Sequence, residues 1–129
     1  EALKENSVIH AYIVHSEDGM DEISPFAKTK VVELKENNIS EFTINPKDLG
    51  ITSNNKNNLK GKNATYNSVK IIEIYKGEEN EFSQAVALNA AAGLIVSGKE
   101  LDFKEAFKKT TKHLKSGSVF QFLNKIQSS

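Results

Sequence analysis

The chain has 129 residues, enough for one domain with a single hydrophobic core. Its 17 basic residues, all of them lysine, balance 17 acidic ones, so no net positive charge draws the protein to nucleic acid. Because cysteine and arginine are both absent, disulfides, thiolate metal sites and guanidinium contacts to phosphate are excluded.

The sequence favours the cytoplasm and predicts no membrane partner. The longest nearly apolar stretch, Ala85 to Val96, is interrupted by Asn89 and is too short to cross a bilayer. The N-terminal residues have neither the basic start nor the apolar run of a signal peptide. The absence of cysteine agrees with this compartment.

The first two predicted elements suggest a partial domain. Glu1 to Lys4 resembles the last turn of a helix, but no N-cap residue precedes it. Val8 to His15 is a nearly continuous apolar run, typical of a strand that is buried on both faces in a parallel sheet. Such a strand needs parallel neighbours, and the chain supplies too few of them. We therefore expect residues 1–129 to form a single partial α/β domain.

A loop and a hairpin follow. Ser16 to Ser24 is polar, with Gly19 at its centre. Thr29–Leu34 and Ile39–Ile44 are strand-like runs joined by an Asn-rich turn, a pattern that predicts a β-hairpin near a sheet edge. Residues 48–61 lack periodicity, and we expect an irregular and mobile connection there.

The remainder is predicted to be helical. Four helices are expected over Asn63–Lys76, Phe82–Ser97 and Asp102–Lys115 and from Ser118 onward. The second has small side chains from Ala85 to Gly93, which would allow a neighbouring element to approach closely. Their expected apolar stripes are Val69, Ile72 and Tyr75; Phe82, Ala85, Val86, Asn89, Ala92 and Val96; Phe103, Ala106, Phe107, Thr110 and Leu114; and Val119, Phe122, Leu123 and Ile126.

A motif in the first loop resembles a known family. Residues 12–24 read YIVHSEDGMDEIS, similar to the V-H-G-x-D-G-x-D-E-x-S strand and loop of the anthranilate phosphoribosyltransferases. Similar family segments follow in register along the whole chain. They are Thr29, Val31 and Glu33-Leu34; Ile44 to Gly50; Leu59 to Ala64 with Asn67; Asn89 to Ala91 with Leu94, Gly98 and Lys99; and Ser116-Gly117.

The resemblance implies a fold, a reaction and a metal site. The fold is the C-terminal part of a nucleoside phosphorylase/phosphoribosyltransferase-like α/β domain. Family members transfer the phosphoribosyl group of phosphoribosyl pyrophosphate (PRPP) to anthranilate in tryptophan biosynthesis, releasing pyrophosphate that is bound to Mg²⁺. In the family the D-E pair holds this ion, which by position makes Asp21 and Glu22 the metal residues here. No catalytic or substrate-binding residue is assigned.

Elementary chemistry agrees with the implied metal site. Mg²⁺ usually takes one or two carboxylates together with substrate phosphates and water. A loop at the carboxyl end of a parallel strand is where open α/β sheets bind ligands, and Gly19 can adopt the turn geometry that such a loop needs. The ordinary alternative is a solvated Asp-Glu pair that binds nothing.

Several other polar residues are interpreted as structural. His15 could act as a general base, but a hydrogen-bonded structural histidine is preferred. Asn89 could contact ligand, but an amide bonded to neighbouring backbone is preferred. His10 is expected in a strand and His113 on an exposed helix face. Lys60, Lys62 and the Asn-rich run are treated as a solvated loop that could touch phosphate.

The sequence also departs from the family pattern. Ser16 replaces the glycine after V-H and is expected to narrow the loop, and Gly61-Lys62-Asn63 replaces G-G-D. The G-T-G-G-D phosphate loop, the residues that meet anthranilate and the N-terminal helical domain through which family members pair are absent. We therefore expect the segment to be inactive alone and the complete protein to be a homodimer.

Two alternative functions remain at this point. A pyrimidine nucleoside phosphorylase-like enzyme shares the overall fold, but the D-G-x-D-E motif and the short helical tail argue against it. A non-catalytic nucleic-acid-binding relative would need a basic surface with stacking aromatics. The charge balance and the presence of both Asp21 and Glu22 argue against that second alternative.

Overall fold

The computed structural model describes residues 1–52 and 55–128, without the side chain of Asn58. Within these ranges no helix combines the length and the hydrophobicity that a membrane span requires. The elements are α1 (Ala2–Glu5), β1 (His10–Ser16), β2 (Thr29–Lys35), β3 (Asn38–Ile44), two 3₁₀ helices (Pro46–Leu49 and Lys56–Leu59), α2 (Ala64–Tyr75), α3 (Glu81–Val96), α4 (Phe103–Lys115) and α5 (Ser118–Gln127).

The three strands form one antiparallel sheet in the order β1-β2-β3. The prediction of a strand buried on both faces between parallel neighbours is therefore wrong for the described residues, because the partner of β1 is the antiparallel β2. The side chain of Ile13 is 56% exposed, on the face of β1 that lies away from the helices. A short apolar run shows that a strand is hydrophobic, but it does not reveal what covers each face.

The predicted hairpin is confirmed. Strands β2 and β3 pair from Thr29↔Ile44 to Lys35↔Asn38. The turn between them places Glu36 and Asn37 at φ 47° and 71°, as expected for a two-residue turn that matches the strand twist. Most of β3 is exposed, as the prediction of an edge position requires.

The core lies between one face of the sheet and the helices. It contains Val31 and Ile44 from the sheet, Ile51 from the following connection, and apolar side chains of α2, α3 and α4. The predicted inward face of α4 is confirmed, since Ala106, Phe107 and Leu114 are all buried. The core thus holds β1 and β2, and the loop between them, against α3.

Helix α3 packs more extensively against α4 than against any other described element. The Thr110 hydroxyl lies 2.9 Å from the Ala87 carbonyl oxygen, which confirms the close approach that the small side chains predict. The predicted stripe on α3 is wrong, because the buried residues are Ser83, Ala87, Leu88, Ala91 and Ile95. A helix that is apolar or small on nearly every side lacks the contrast from which a buried face could be identified.

The predicted apolar faces of α2 and α5 are only partly buried. In α2 the buried residue is Ile74, whereas Val69 is exposed. In α5 no residue is buried, and Phe122 and Ile126 are exposed. Both helices do carry apolar faces, but burial depends on which elements lie opposite them.

Helix boundaries follow the capping chemistry. Asn63 accepts a hydrogen bond from the Tyr66 N–H and Asp102 accepts one from the Glu105 N–H, each at 2.8 Å, so both predicted N-caps are confirmed. Helix α3 begins one residue earlier than predicted because Asn80 and Ser83 form a reciprocal capping box. The connection predicted to be irregular contains the 3₁₀ helices, and its residues 53 and 54 lie outside the described ranges.

Candidate functional site

Asp21 and Glu22 lie in the loop between β1 and β2. Both residues are exposed, and neither makes an ion pair or a side-chain hydrogen bond within the described part of the chain. The loop leaves the sheet at Ser16 and returns at Thr29, two buried residues that are paired in the β1–β2 ladder. The two carboxylates are therefore presented to solvent from a loop whose ends are fixed.

Asp18 organises the first half of this loop from inside. Its side chain is 1% exposed, and its oxygens accept hydrogen bonds from the Ser16 hydroxyl at 2.7 Å, the Ser24 hydroxyl at 2.8 Å and the Met20 N–H at 3.3 Å. Ser16, where the family pattern has glycine, thus contributes a hydroxyl to the loop. Asp18 fits the family motif by position, but its structural role was not predicted from the sequence.

The electrostatics of Asp18 follow from these contacts. Burial raises the pKa of the carboxyl, but the hydrogen bonds from Ser16, Ser24 and Met20 and the positive charge of Lys56 together outweigh it. The resulting pKa is lowered to about 2. The Lys56 ammonium lies 3.4 Å from an Asp18 oxygen. Asp18 is therefore a fixed negative charge at the base of the loop at neutral pH.

The second half of the loop is anchored by burial. Ile23 and Ser24 are 1% and 0% exposed, and the Ile23 side chain belongs to the hydrophobic core. The Ser24 N–H donates to the Thr29 hydroxyl at 3.2 Å, and the Ser24 hydroxyl accepts from the Phe26 N–H at 3.0 Å. The chain direction immediately after Glu22 is thereby fixed.

Asn89 of α3 reaches across to this same point. Its Oδ1 accepts a hydrogen bond from the Ile23 N–H at 3.0 Å, and its Nδ2 donates to the Ile23 carbonyl oxygen at 3.1 Å and to the Ala85 carbonyl oxygen at 2.9 Å. The prediction that Asn89 bonds neighbouring backbone is confirmed. The sequence did not predict that this backbone belongs to the loop between β1 and β2, which is called the acidic loop below.

Gly19 provides the turn at the start of the loop. Its φ of +84° lies in the left-handed region, and its N–H donates to the Ser16 carbonyl oxygen at 3.0 Å. Gly19 thus adopts the turn geometry that the sequence allows it. This turn brings the chain back toward Ser16 before Asp21 and Glu22.

The histidines occupy different environments. His15 is exposed, and in the described ranges its side chain has no hydrogen-bond partner, so the prediction of a hydrogen-bonded structural histidine is wrong. His15 lies on the same exposed face of β1 as Ile13. His10 lies in β1 and pairs with Glu33 at 2.8 Å. His113, exposed on α4 as predicted, lies 3.2 Å from the Ser118 hydroxyl.

The predicted lysines are solvated. Lys60 and Lys62 are exposed, and the Lys62 ammonium lies 4.7 Å from the centre of the Tyr66 ring. The lysine that approaches the acidic loop is instead Lys56, from the second 3₁₀ helix. It is distant from Asp18 along the chain, in a run whose other residues carry no distinguishing pattern, and no local sequence signal identifies the contact.

The residues present fit a weakly coordinated hard cation rather than a closed metal cage. No group of three or more metal-ligating side chains occurs in residues 1–52 and 55–128. Two free carboxylates on a fixed loop are what Mg²⁺ uses when substrate phosphates and water complete its shell. Asp21 and Glu22 can supply that part of a site, and Asp18 cannot because its oxygens are already engaged.

Comparisons with known proteins agree with this description. The family model described as "Glycosyl transferase family, a/b domain" matches residues 1–120. The anthranilate phosphoribosyltransferase of Pelagibacter ubique (strain HTCC1062) is 49% identical over 126 residues, which are 98% of this chain and 38% of that protein. The enzyme of the same name from Aquifex aeolicus (strain VF5) is 36% identical over 125 residues, or 96% of this chain and 36% of that protein.

A solved structure supports the fold. The anthranilate phosphoribosyltransferase of Thermus thermophilus superposes with a TM-score of 0.82 at 28% identity, covering 94% of this chain and 36% of that one. The chain thus spans a little over a third of the length of the relatives that it matches. It carries the D-G-x-D-E motif and the α/β fold that the resemblance predicted. The family model matches residues 1–120. The chain therefore belongs to the glycosyl transferase family whose a/b domain that model describes.

Proposed function

We propose that the complete protein containing this chain transfers the phosphoribosyl group of PRPP to anthranilate, with Asp21 and Glu22 as magnesium residues. Support comes from the family match and from relatives that are named anthranilate phosphoribosyltransferase. An anthranilate phosphoribosyltransferase from Saccharomyces cerevisiae has been solved in complex with PRPP and Mg. At 22% identity and a TM-score of 0.70 it shares the fold with this chain.

The observation that carries the proposal is the state of the two carboxylates. Among the residues that the structure describes, no side chain engages Asp21 or Glu22, while Met20 and Ile23 on either side have their backbone N–H groups bound by Asp18 and Asn89. A solvated surface loop does not require such anchoring. A pair of ligands for an ion does, because the carboxylates must be held where the phosphates will bring it.

The chain's own residues would act by position and charge. Asp21 and Glu22 would hold Mg²⁺, which when bound to pyrophosphate neutralises negative charge that develops on the leaving group. Asp18 would keep the loop closed while its own charge is satisfied by Ser16, Ser24 and Lys56. Ile23, the residue after Glu22, would fix the C-terminal side of the Asp21–Glu22 pair because its side chain is buried in the core.

Other parts of the reaction would belong to other parts of the protein. We propose that the contacts to PRPP and anthranilate lie mostly outside these 129 residues and that this segment is inactive alone. The chain spans only 38% of its relative from Pelagibacter ubique, which leaves most of such a protein beyond it. We further propose a cytoplasmic homodimer for the complete protein, as the resemblance implies.

The proposal is tested by calorimetric titration of PRPP into the complete protein with and without Mg²⁺. We expect Mg²⁺ to tighten PRPP binding in the native protein and to lose that effect in the double variant Asp21→Asn/Glu22→Gln. Glu17→Gln is the matched control, because Glu17 is an exposed carboxylate in the same loop. The control should keep the native coupling.

One result of this titration would contradict the proposed magnesium site. If the double variant keeps the native dependence of PRPP affinity on Mg²⁺, these two carboxylates do not hold the ion. Tight binding of a labelled oligonucleotide at physiological salt, or of a pyrimidine nucleoside with phosphate, would instead favour one of the two alternative functions.

A further inference from the structure

Asn89 makes a contact that a merely buried amide would not need. Its Oδ1 and Nδ2 engage the N–H and the C=O of a single residue, Ile23, at 3.0 and 3.1 Å. A neighbouring strand binds a residue in this two-sided way, but here a side chain of α3 takes the place of the strand. The residue that it engages is the one directly after Glu22.

The chemistry of the contact requires an amide. The Ile23 N–H needs an acceptor, while the Ile23 and Ala85 carbonyl oxygens both need donors, which fixes the orientation of the Asn89 side chain. An aspartate could accept from the N–H but would place an oxygen against the two carbonyl oxygens. A leucine of similar size could do neither.

The helix that carries Asn89 is well anchored. Ala87 and Ala91 of α3 are buried, and the Thr110 hydroxyl of α4 lies 2.9 Å from the Ala87 carbonyl oxygen. Asn89 therefore holds the backbone of the loop at a fixed position relative to α3. Asp18 performs the equivalent task on the other side of the carboxylate pair, through the Met20 N–H.

We infer that Asn89 is a positioning residue for Asp21 and Glu22, setting the direction in which the two carboxylates face the ion. This inference rests on the proposed function, because it assumes that these carboxylates bind Mg²⁺. Asn89 would act through the Ile23 backbone and not as a ligand of the ion. Its loss leaves both carboxylates present but removes one anchor of the loop directly after Glu22.

The test uses Asn89→Leu and Asn89→Asp in the complete protein. Hydrogen–deuterium exchange of residues 20–24 reports on the Ile23 hydrogen bond. The Mg²⁺ concentration at which PRPP binding is half-maximal, called the Mg²⁺ midpoint, reports on the metal site. We expect faster exchange in both variants, because leucine removes the acceptor and the repulsion between an aspartate oxygen and the two carbonyl oxygens weakens the contact. The midpoint should rise by about tenfold, since groups that orient metal ligands typically contribute about 10- to 100-fold in affinity or activity. Saturating Mg²⁺ should recover PRPP binding.

Two features keep the test decisive if Asn89→Leu fails to fold. Asn89→Asp is similar in size and adds a negative charge, which by itself would strengthen cation binding, so weaker Mg²⁺ binding must come from lost positioning. Asp102→Ala is the control for general stability, because it removes the N-cap hydrogen bond of α4 to the Glu105 N–H and leaves the contacts of Asn89 in place. It should leave the midpoint at its native value.

The outcomes separate the inference from the proposed function. If exchange at Ile23 rises in an Asn89 variant while the Mg²⁺ midpoint stays native, the inference is overturned, provided that Asp21→Asn/Glu22→Gln abolishes the coupling. If that double variant retains the coupling, the proposed function fails and the inference fails with it. An equal shift in Asp102→Ala would show that Asn89 acts only through general stability, which also overturns the inference.

Discussion

The Asp18 carboxylate and the Ser24 hydroxyl, six residues apart, are joined by a hydrogen bond of 2.8 Å that closes the acidic loop from inside. The same carboxylate binds Ser16 at the end of β1, so one buried charge links the beginning of the loop to its end. Asp21 and Glu22 lie within the segment that is closed in this way. The loop is therefore ordered in part by its own residues, in addition to its contact with Asn89.

This arrangement makes stability depend on acid pH in a defined window. The unfolded pKa of an aspartate is about 3.9, and the folded pKa of Asp18 is lowered to about 2. The contribution is thus complete above about pH 4 and is lost as the pH falls through about 2. It amounts to something on the order of 2 kcal/mol. Asp18→Asn should lower the stability of the complete protein at neutral pH, and this deficit should shrink as the pH falls.

The measurement is the thermal unfolding midpoint of native protein and Asp18→Asn, followed from neutral pH down to about pH 2. Glu17→Gln serves as the control, since Glu17 is exposed and its replacement should cost little at any pH. A deficit for Asp18→Asn that stays constant across the acid range would contradict the lowered pKa.

A second prediction concerns the end of α2. Gly77 has a φ of +102°, and a Cβ there would lie 2.6 Å from the Lys115 carbonyl oxygen. Gly98, after α3, also has a positive φ, but a Cβ at that position meets no atom within 4 Å. Gly77→Ala should therefore cost about 2 kcal/mol more than Gly98→Ala, because strain at a special φ is common to both and the backbone clash is not.

Unfolding midpoints of the two alanine variants, measured side by side, check this difference. Equal losses would mean that α2 and α4 can separate enough at Lys115 to accept a methyl group. The comparison is informative because both glycines directly follow the C-cap residue of a helix.

A third prediction tests the packing of the core around α3. Ala91 is 0% exposed and belongs to the hydrophobic core, whereas its neighbour Ala90 is exposed. Ala91→Leu should destabilise the protein by about 1–3 kcal/mol, because the added volume has no space in the core. Ala90→Leu should have a much smaller effect. Comparable unfolding midpoints for the two variants would show that the core around Ala91 is loosely packed.

Local chemistry explains which elements could be predicted. The Asn63 and Asp102 caps and the Asn-rich hairpin turn are each specified by residues within a few positions, and the structure has them where the sequence indicates. The buried face of α3 could not be predicted in the same way, because its side chains are apolar or small on nearly every side. The prediction that β1 is buried on both faces failed for a related reason, since the elements that cover each face of a strand are distant in the chain.

The same distinction between local and long-range contacts applies to the candidate site. The D-G-x-D-E motif identified Asp21 and Glu22 and the turn at Gly19, because these residues are adjacent in the chain. The contact between Asn89 and Ile23 joins residues 66 positions apart, and only the packing of α3 against the sheet brings them together. The approach of Lys56 to Asp18 likewise depends on the path of the chain after β3.

The central claim is that Asp21 and Glu22 hold a magnesium ion, and a crystal structure of the complete protein with Mg²⁺ and PRPP tests it most directly. We predict electron density for the ion with an oxygen of Asp21 or Glu22 at about 2.1 Å, or bound through an ordered water, and with phosphate oxygens completing its shell. An ion held entirely by other residues, with both carboxylates facing bulk solvent, would contradict the claim.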